Sequence, residues 1–130
     1  MRRKRIPEVS AGDTFFLSHP YNHLYVVCSD PALDGENVVL VNVTTFDQEE
    51  EECCIINAGE HPFVTGKSCI RYKDARIAPV DAIRKLQDAG KMNRGEPVSS
   101  NLLARIRDGA SESDFLPEGC RRILENQSLI

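Results

Sequence analysis

The run Val38-Val39-Leu40-Val41-Asn42-Val43-Thr44-Thr45 constrains this chain more than any other segment. It is dominated by β-branched residues, which are stiff at χ1 and pack well on a pleated surface, so it reads as a buried central strand. Asp34-Gly35-Glu36-Asn37 ahead of it is a strong turn signal. A second apolar run, His23-Leu24-Tyr25-Val26-Val27, lies before that turn. Each run has polar residues at one end: His23 enters the first, and Thr44 and Thr45 leave the second. Burial alone gives a strand no reason to end in a histidine or a threonine pair. A site at the rim of a small barrel gives one.

Further short β-type runs cover residues 15–17, 53–56 and 68–72. About five short strands separated by turns suggest a small antiparallel barrel. Beyond residue 78 the pattern becomes helical. Pro79 suits a first helical position, Val80, Ile83 and Leu86 recur at helical spacing, and Gly90 suits the stop. Ser99 or Ser100 caps a second helix with Leu102, Leu103 and Ile106 inward, and Gly109 ends it. A third begins near Pro117 and carries Cys120, Ile123 and Leu124. Residues 91–97 read as a mobile linker. The expected architecture is one domain over residues 1–130, mainly β with α. It has a barrel over 11–78 and about three short helices over 79–130, which pack on the barrel or on a partner because helices this short are marginal alone.

The 130 residues carry a formal net charge of -4, which argues against a tight, non-specific nucleic-acid binder. The charge is uneven, with an acidic run at residues 49–52 and a basic start, Arg2-Arg3-Lys4-Arg5, which reads as a tail. Five cysteines, an odd number without zinc spacing, suggest reduced thiols and a cytoplasmic location. No apolar segment follows the basic start, so no signal peptide is expected, and no stretch approaches the length needed to span a membrane.

The candidate chemistry lies at His23, Thr44, His61, Ser68 and Tyr72. Two imidazoles suit metal-free RNA cleavage: one takes the 2′-hydroxyl proton and the other protonates the leaving 5′-oxygen, near neutral pH in both cases. Hydroxyls and Lys67 would hold the phosphate oxygens as charge builds. Thr45, Lys67, Arg71, Lys73 and Arg76 form the candidate substrate-binding set. No cofactor and no metal are expected, since the histidines and carboxylates lack ligand spacing. Each position also has a plainer reading: His23 as a surface or hydrogen-bonding residue, His61 as a turn residue, the threonines as strand formers, Ser68 as a turn or cap residue, and Tyr72 as a half-buried aromatic with its hydroxyl at the surface.

The order of elements over residues 11–86 resembles the MazF/PemK family of toxin endoribonucleases. Gly12-Asp13-Thr14-Phe15 is similar to that family's opening strand, and His23-Leu24-Tyr25-Val26-Val27 to the strand after its first long loop. Val41-Asn42-Val43-Thr44-Thr45 is similar to its third-strand end. Ser68-Cys69-Ile70-Arg71-Tyr72 with Ala75-Arg76-Ile77 is similar to its strand and turn before a later helix. The resemblance implies an SH3-like barrel and a toxin of a toxin–antitoxin system that cleaves RNA, with a homodimeric state and a protein antitoxin. By position His23 stands where the family has an arginine, and Thr44 where it has a threonine. Histidine exchanges protons near neutral pH and arginine does not, so this is a departure. The loop before His23 is also short. Two other readings stay open: a non-catalytic SH3-like module that binds a protein partner, and a gyrase-directed toxin of the same fold.

Overall fold

Residues 37–45 do form the central strand, and the rest of the molecule is arranged around it. The structure, a computed structural model, describes residues 9–17 and 23–130. Strands run over Thr14–Leu17 (β1), His23–Val27 (β2), Asn37–Thr45 (β3), Ile55–Ile56 (β4), Ser68–Ile70 (β5), Arg76–Pro79 (β6) and Asn93–Arg94 (β7). Helices cover Pro31–Asp34 (α1), Val80–Asp88 (α2), Ser100–Glu112 (α3) and Glu118–Asn126 (α4), with a 3-10 turn over Tyr72–Asp74.

All described strand pairs are antiparallel, in the order β4-β5-β3-β2-β1-β7, with β6 also on β3. One edge of β3 pairs with β2, from Leu24↔Val43 to Val27↔Leu40. Its other edge is shared. The first half takes β6, Asn37↔Pro79 to Leu40↔Arg76, and the last residues take β5, Val43↔Ile70 to Thr45↔Ser68.

The mainly β architecture with short helices is as the sequence implied, but the sheet has seven strands and does not close into a barrel. Helices cover both of its faces. Leu24, Val26, Val39, Val41, Val43 and Ile70 pack with Leu102, Ile106 and Ala110 of α3 and with Cys120 and Leu124 of α4. The alternate residues, Phe15, Tyr25, Val27, Val38 and Leu40, form a second core with Val80 and Ile83 of α2 and Met92. A strand buried on two faces cannot alternate apolar with polar residues, which is why residues 38–41 read as continuous aliphatic side chains. Val38, Val39 and Val41 are fully enclosed.

Several local expectations change. The turn signal at Asp34-Gly35 ends a one-turn helix that Asp30 caps through Ala32 N–H at 2.9 Å. Pro79 is the last residue of β6 and the N-cap of α2, not its first helical residue. Ser99 caps α3 by accepting from Leu102 N–H at 3.0 Å. Gly109 does not end α3, which continues to Glu112. Its missing side chain has another purpose: a Cβ there would run into the Tyr72 hydroxyl and lie 2.8 Å from the Cys53 carbonyl oxygen. Residues 91–97 are not a loose linker. They supply β7, pair with β1, and are held by Gly95 N–H to the Thr14 carbonyl at 2.9 Å and Val98 N–H to the Gly12 carbonyl at 2.9 Å.

Candidate active site

The start of β2 and the end of β3 lie at the same end of the sheet, because Leu24 pairs with Val43. A cleft of about 410 Å³ opens there, and none of the described helices contributes to its lining. It is lined by His23 from β2, Val43, Thr44 and Thr45 from β3, Ser68 from β5, and Phe63, Thr65, Gly66 and Lys67 from the loop over residues 57–67. His23 and Thr44 are half-buried and Thr45 is exposed.

Local bonds fix several of these groups. Ser68 is buried at 9% exposure, and its hydroxyl donates to the Gly66 carbonyl at 3.0 Å. Phe46 N–H donates to the Lys67 carbonyl at 3.1 Å, tying the end of the loop to the end of β3. The Lys67 ammonium lies 4.4 Å from the centre of the Phe46 ring, a cation–π contact that keeps the charge at the rim. The His23 ring lies 6.1 Å from that of Tyr25 on the same sheet face.

Five of the ten residues singled out from the sequence, His23, Thr44, Thr45, Lys67 and Ser68, therefore meet in one cleft. The other five lie elsewhere. His61 is buried at 6% exposure and does not line the cleft. Its Nδ1 accepts from Phe63 N–H at 3.1 Å, and its Nε2 lies 2.6 Å from the Glu96 carbonyl oxygen. A backbone N–H can only donate and a carbonyl can only accept, so the ring is the Nε2–H tautomer with both nitrogens engaged. Proton exchange with a ligand in the cleft is closed to it.

Tyr72 is in the core, not at the surface. It is 1% exposed, and its hydroxyl donates to the Ile106 carbonyl at 2.6 Å. Burial pushes its phenol well above the ordinary range, and the neighbouring thiols add to the shift. Arg71 is paired with Asp74 at 3.3 Å and with Glu50 at 3.7 Å. It lines a separate small recess with Lys73 and residues 49–51. Arg76 stands over the Tyr25 ring at 5.5 Å, away from the cleft lining. Closeness in sequence misled here: β5, the 3-10 turn and β6 turn Arg71, Lys73 and Arg76 away from Lys67.

Sequence reasoning did not single out Phe63 and Thr65. The signal was their place in the loop that leads into β5, the strand paired with the end of the central one. The thiols offer no nucleophile. All five cysteines are free. Burial raises Cys28 to about 12, against an opposing pull from Arg107, and raises Cys54 and Cys69 to about 11. Among the described residues no group of three or more His, Cys, Asp and Glu side chains is arranged to hold a metal ion. None of the described helices is long and apolar enough to cross a membrane. No family model matches the chain, and no curated protein matches it in sequence.

Proposed function

We propose that the cleft binds an RNA phosphodiester and that the protein is a metal-independent endoribonuclease. What supports the reading is the convergence of one imidazole, four hydroxyls and one ammonium from three separate stretches of chain. In this reading His23 takes the 2′-hydroxyl proton. The 2′-oxygen attacks phosphorus, a 2′,3′-cyclic phosphate forms, and the leaving 5′-oxygen takes its proton from solvent. Lys67 and the hydroxyls of Thr44 and Thr45 hold the non-bridging oxygens as charge builds on them. His61 takes no proton-transfer role, so the scheme has one histidine rather than two. The same proposal makes the protein a toxin acting as a homodimer and restrained by a protein antitoxin that covers the cleft.

A second reading, a non-catalytic module that binds a protein partner, is favoured by one observation. Among the described residues Lys67 is the sole lysine or arginine lining the cleft, in a chain with a net charge of -4. The test is incubation of the purified protein and its His23→Ala variant with a long structured RNA in EDTA. Cleavage by the wild type alone, yielding cyclic phosphate ends, is the expected result. Absence of cleavage by both overturns the nuclease and leaves the interaction module. Equal cleavage by both removes His23 from the mechanism.

A further inference from the structure

We infer that His61 is a positioning residue, a clip that holds the wall of the cleft from behind and couples it to the chain leading into α3. The role presupposes that the cleft is the working site. Phe63 lines the cleft, and its amide N–H is held by Nδ1 of His61 at 3.1 Å. The opposite nitrogen is bound to the Glu96 carbonyl at 2.6 Å, and that carbonyl also accepts from the Thr14 hydroxyl at 2.7 Å. A continuous chain of polar contacts thus runs from β1 through Glu96 and His61 to the cleft wall. Residue 95 must be glycine for this approach, since a Cβ would lie 2.7 Å from the Thr14 hydroxyl oxygen.

A second tie acts beside the first. Glu60 is paired with Arg105 of α3, and Arg105 also donates to the Ile55 carbonyl at 2.5 Å. Within the loop, Gly59 N–H to the Val64 carbonyl at 3.1 Å and Val64 N–H to the His61 carbonyl at 2.9 Å complete a small closed turn. Gly59 has φ +90°, a backbone conformation that L side chains rarely adopt. His61 is the piece of this assembly that is bonded to a cleft-lining residue, through the Phe63 amide. The Phe63 ring, 5.5 Å from that of Phe16, is thereby set against β1. The placement of Phe63, and with it of the Thr65, Gly66 and Lys67 segment that follows, depends on a side chain that does not touch the ligand space.

Two variants test the role. His61→Gln can still donate to the Glu96 carbonyl but places no acceptor at the Nδ1 position, and His61→Ala removes both bonds. Amide hydrogen exchange followed by NMR is the readout. The Phe63 amide is expected to exchange about tenfold faster in His61→Gln, and Phe63 and Val64 faster still in His61→Ala, while Val39 and Val41 in β3 stay as protected as in the wild type. An unchanged Phe63 amide in His61→Gln overturns the clip. Equal acceleration of Val39 and Val41 also overturns it, because His61 is then only a contributor to global stability. Cleavage is measured separately on the same RNA. With an active wild type, a His61→Gln variant of equal kcat/KM overturns the positioning role, and a tenfold loss supports it. An inactive wild type overturns the nuclease reading alone, and the exchange result still decides the clip.

Discussion

The two ends of β3 show how one strand can serve two purposes. Its first part, residues 38–41, is enclosed on both faces, with α3 and α4 on one side and α2 on the other. Its last residues, Thr44 and Thr45, emerge beyond the helices into a cleft whose far wall is a loop. The backbone is continuous and the pairing antiparallel throughout. What differs is what lies above and below. Buried aliphatic side chains make the first part rigid, and that rigidity holds the hydroxyls of the second part in place. A site on the end of a doubly covered strand inherits the precision of the core without being enclosed by it.

The covered end of β3 is most sensitive to a change on the helical side. Gly109→Ala would push a methyl group against the Tyr72 hydroxyl and the Cys53 backbone. The expected loss is about 2–3 kcal/mol, combining overpacking with the lost Tyr72–Ile106 bond, read as a lower urea midpoint. A fall of less than a few tenths would mean that α3 can shift away from the sheet at little cost.

The two ends of β3 can then be compared directly. Val41→Ala, in a residue with no exposure, is expected to cost roughly 2 kcal/mol. Thr45→Ala, at the exposed end, should stay within about 0.5 kcal/mol of wild type by the same urea titration. If both lose the same amount, the two ends of β3 do not differ in how the core holds them.

A small effect concerns the tie behind the cleft and is read from acid titration. Arg105 holds the Glu60 carboxyl below its usual 4.5. A carboxylate with a depressed folded pKa adds stability that is complete above its unfolded value and is lost as pH falls through the folded one. The stability gap between wild type and Glu60→Gln should therefore be constant at neutral pH and close below 4.5. The pair is partly exposed and screened, so the gap is expected to be under about 1 kcal/mol. A gap that widens on acidification would reverse the assignment.

Much of this molecule was legible in its residues, and the misses share one cause. The central strand, the Ser99 cap and the apolar faces of α2, α3 and α4 follow from local periodicity and capping chemistry, which act over a few residues. Gly109 carried the signal of a helix stop, yet its role is to admit Tyr72 from a distant turn. Residues 91–97 lacked periodicity and suggested a loose linker, yet they pair with β1 through backbone bonds that no side-chain pattern reports. His61 carried the same chemical promise as His23. The fold buries His61 and engages both of its ring nitrogens with backbone groups, whereas it leaves His23 half-buried in the cleft lining.

By itself the sequence determined that residues 38–45 would be a central strand and that amphipathic helices would follow it, because side-chain shape and hydrophobic spacing act locally. It also marked His23, Thr44 and Thr45 as polar ends of apolar runs. Only the tertiary structure decided that helices would cover both sheet faces, leaving the sheet open, and that Lys67 and Ser68 would join those three while Arg71, Lys73 and Arg76 would not. It also decided that His61 would be tied off against Glu96 and Phe63. Those outcomes depend on strand pairing between segments far apart in the chain, and such pairing has no counterpart in the order of neighbouring residues.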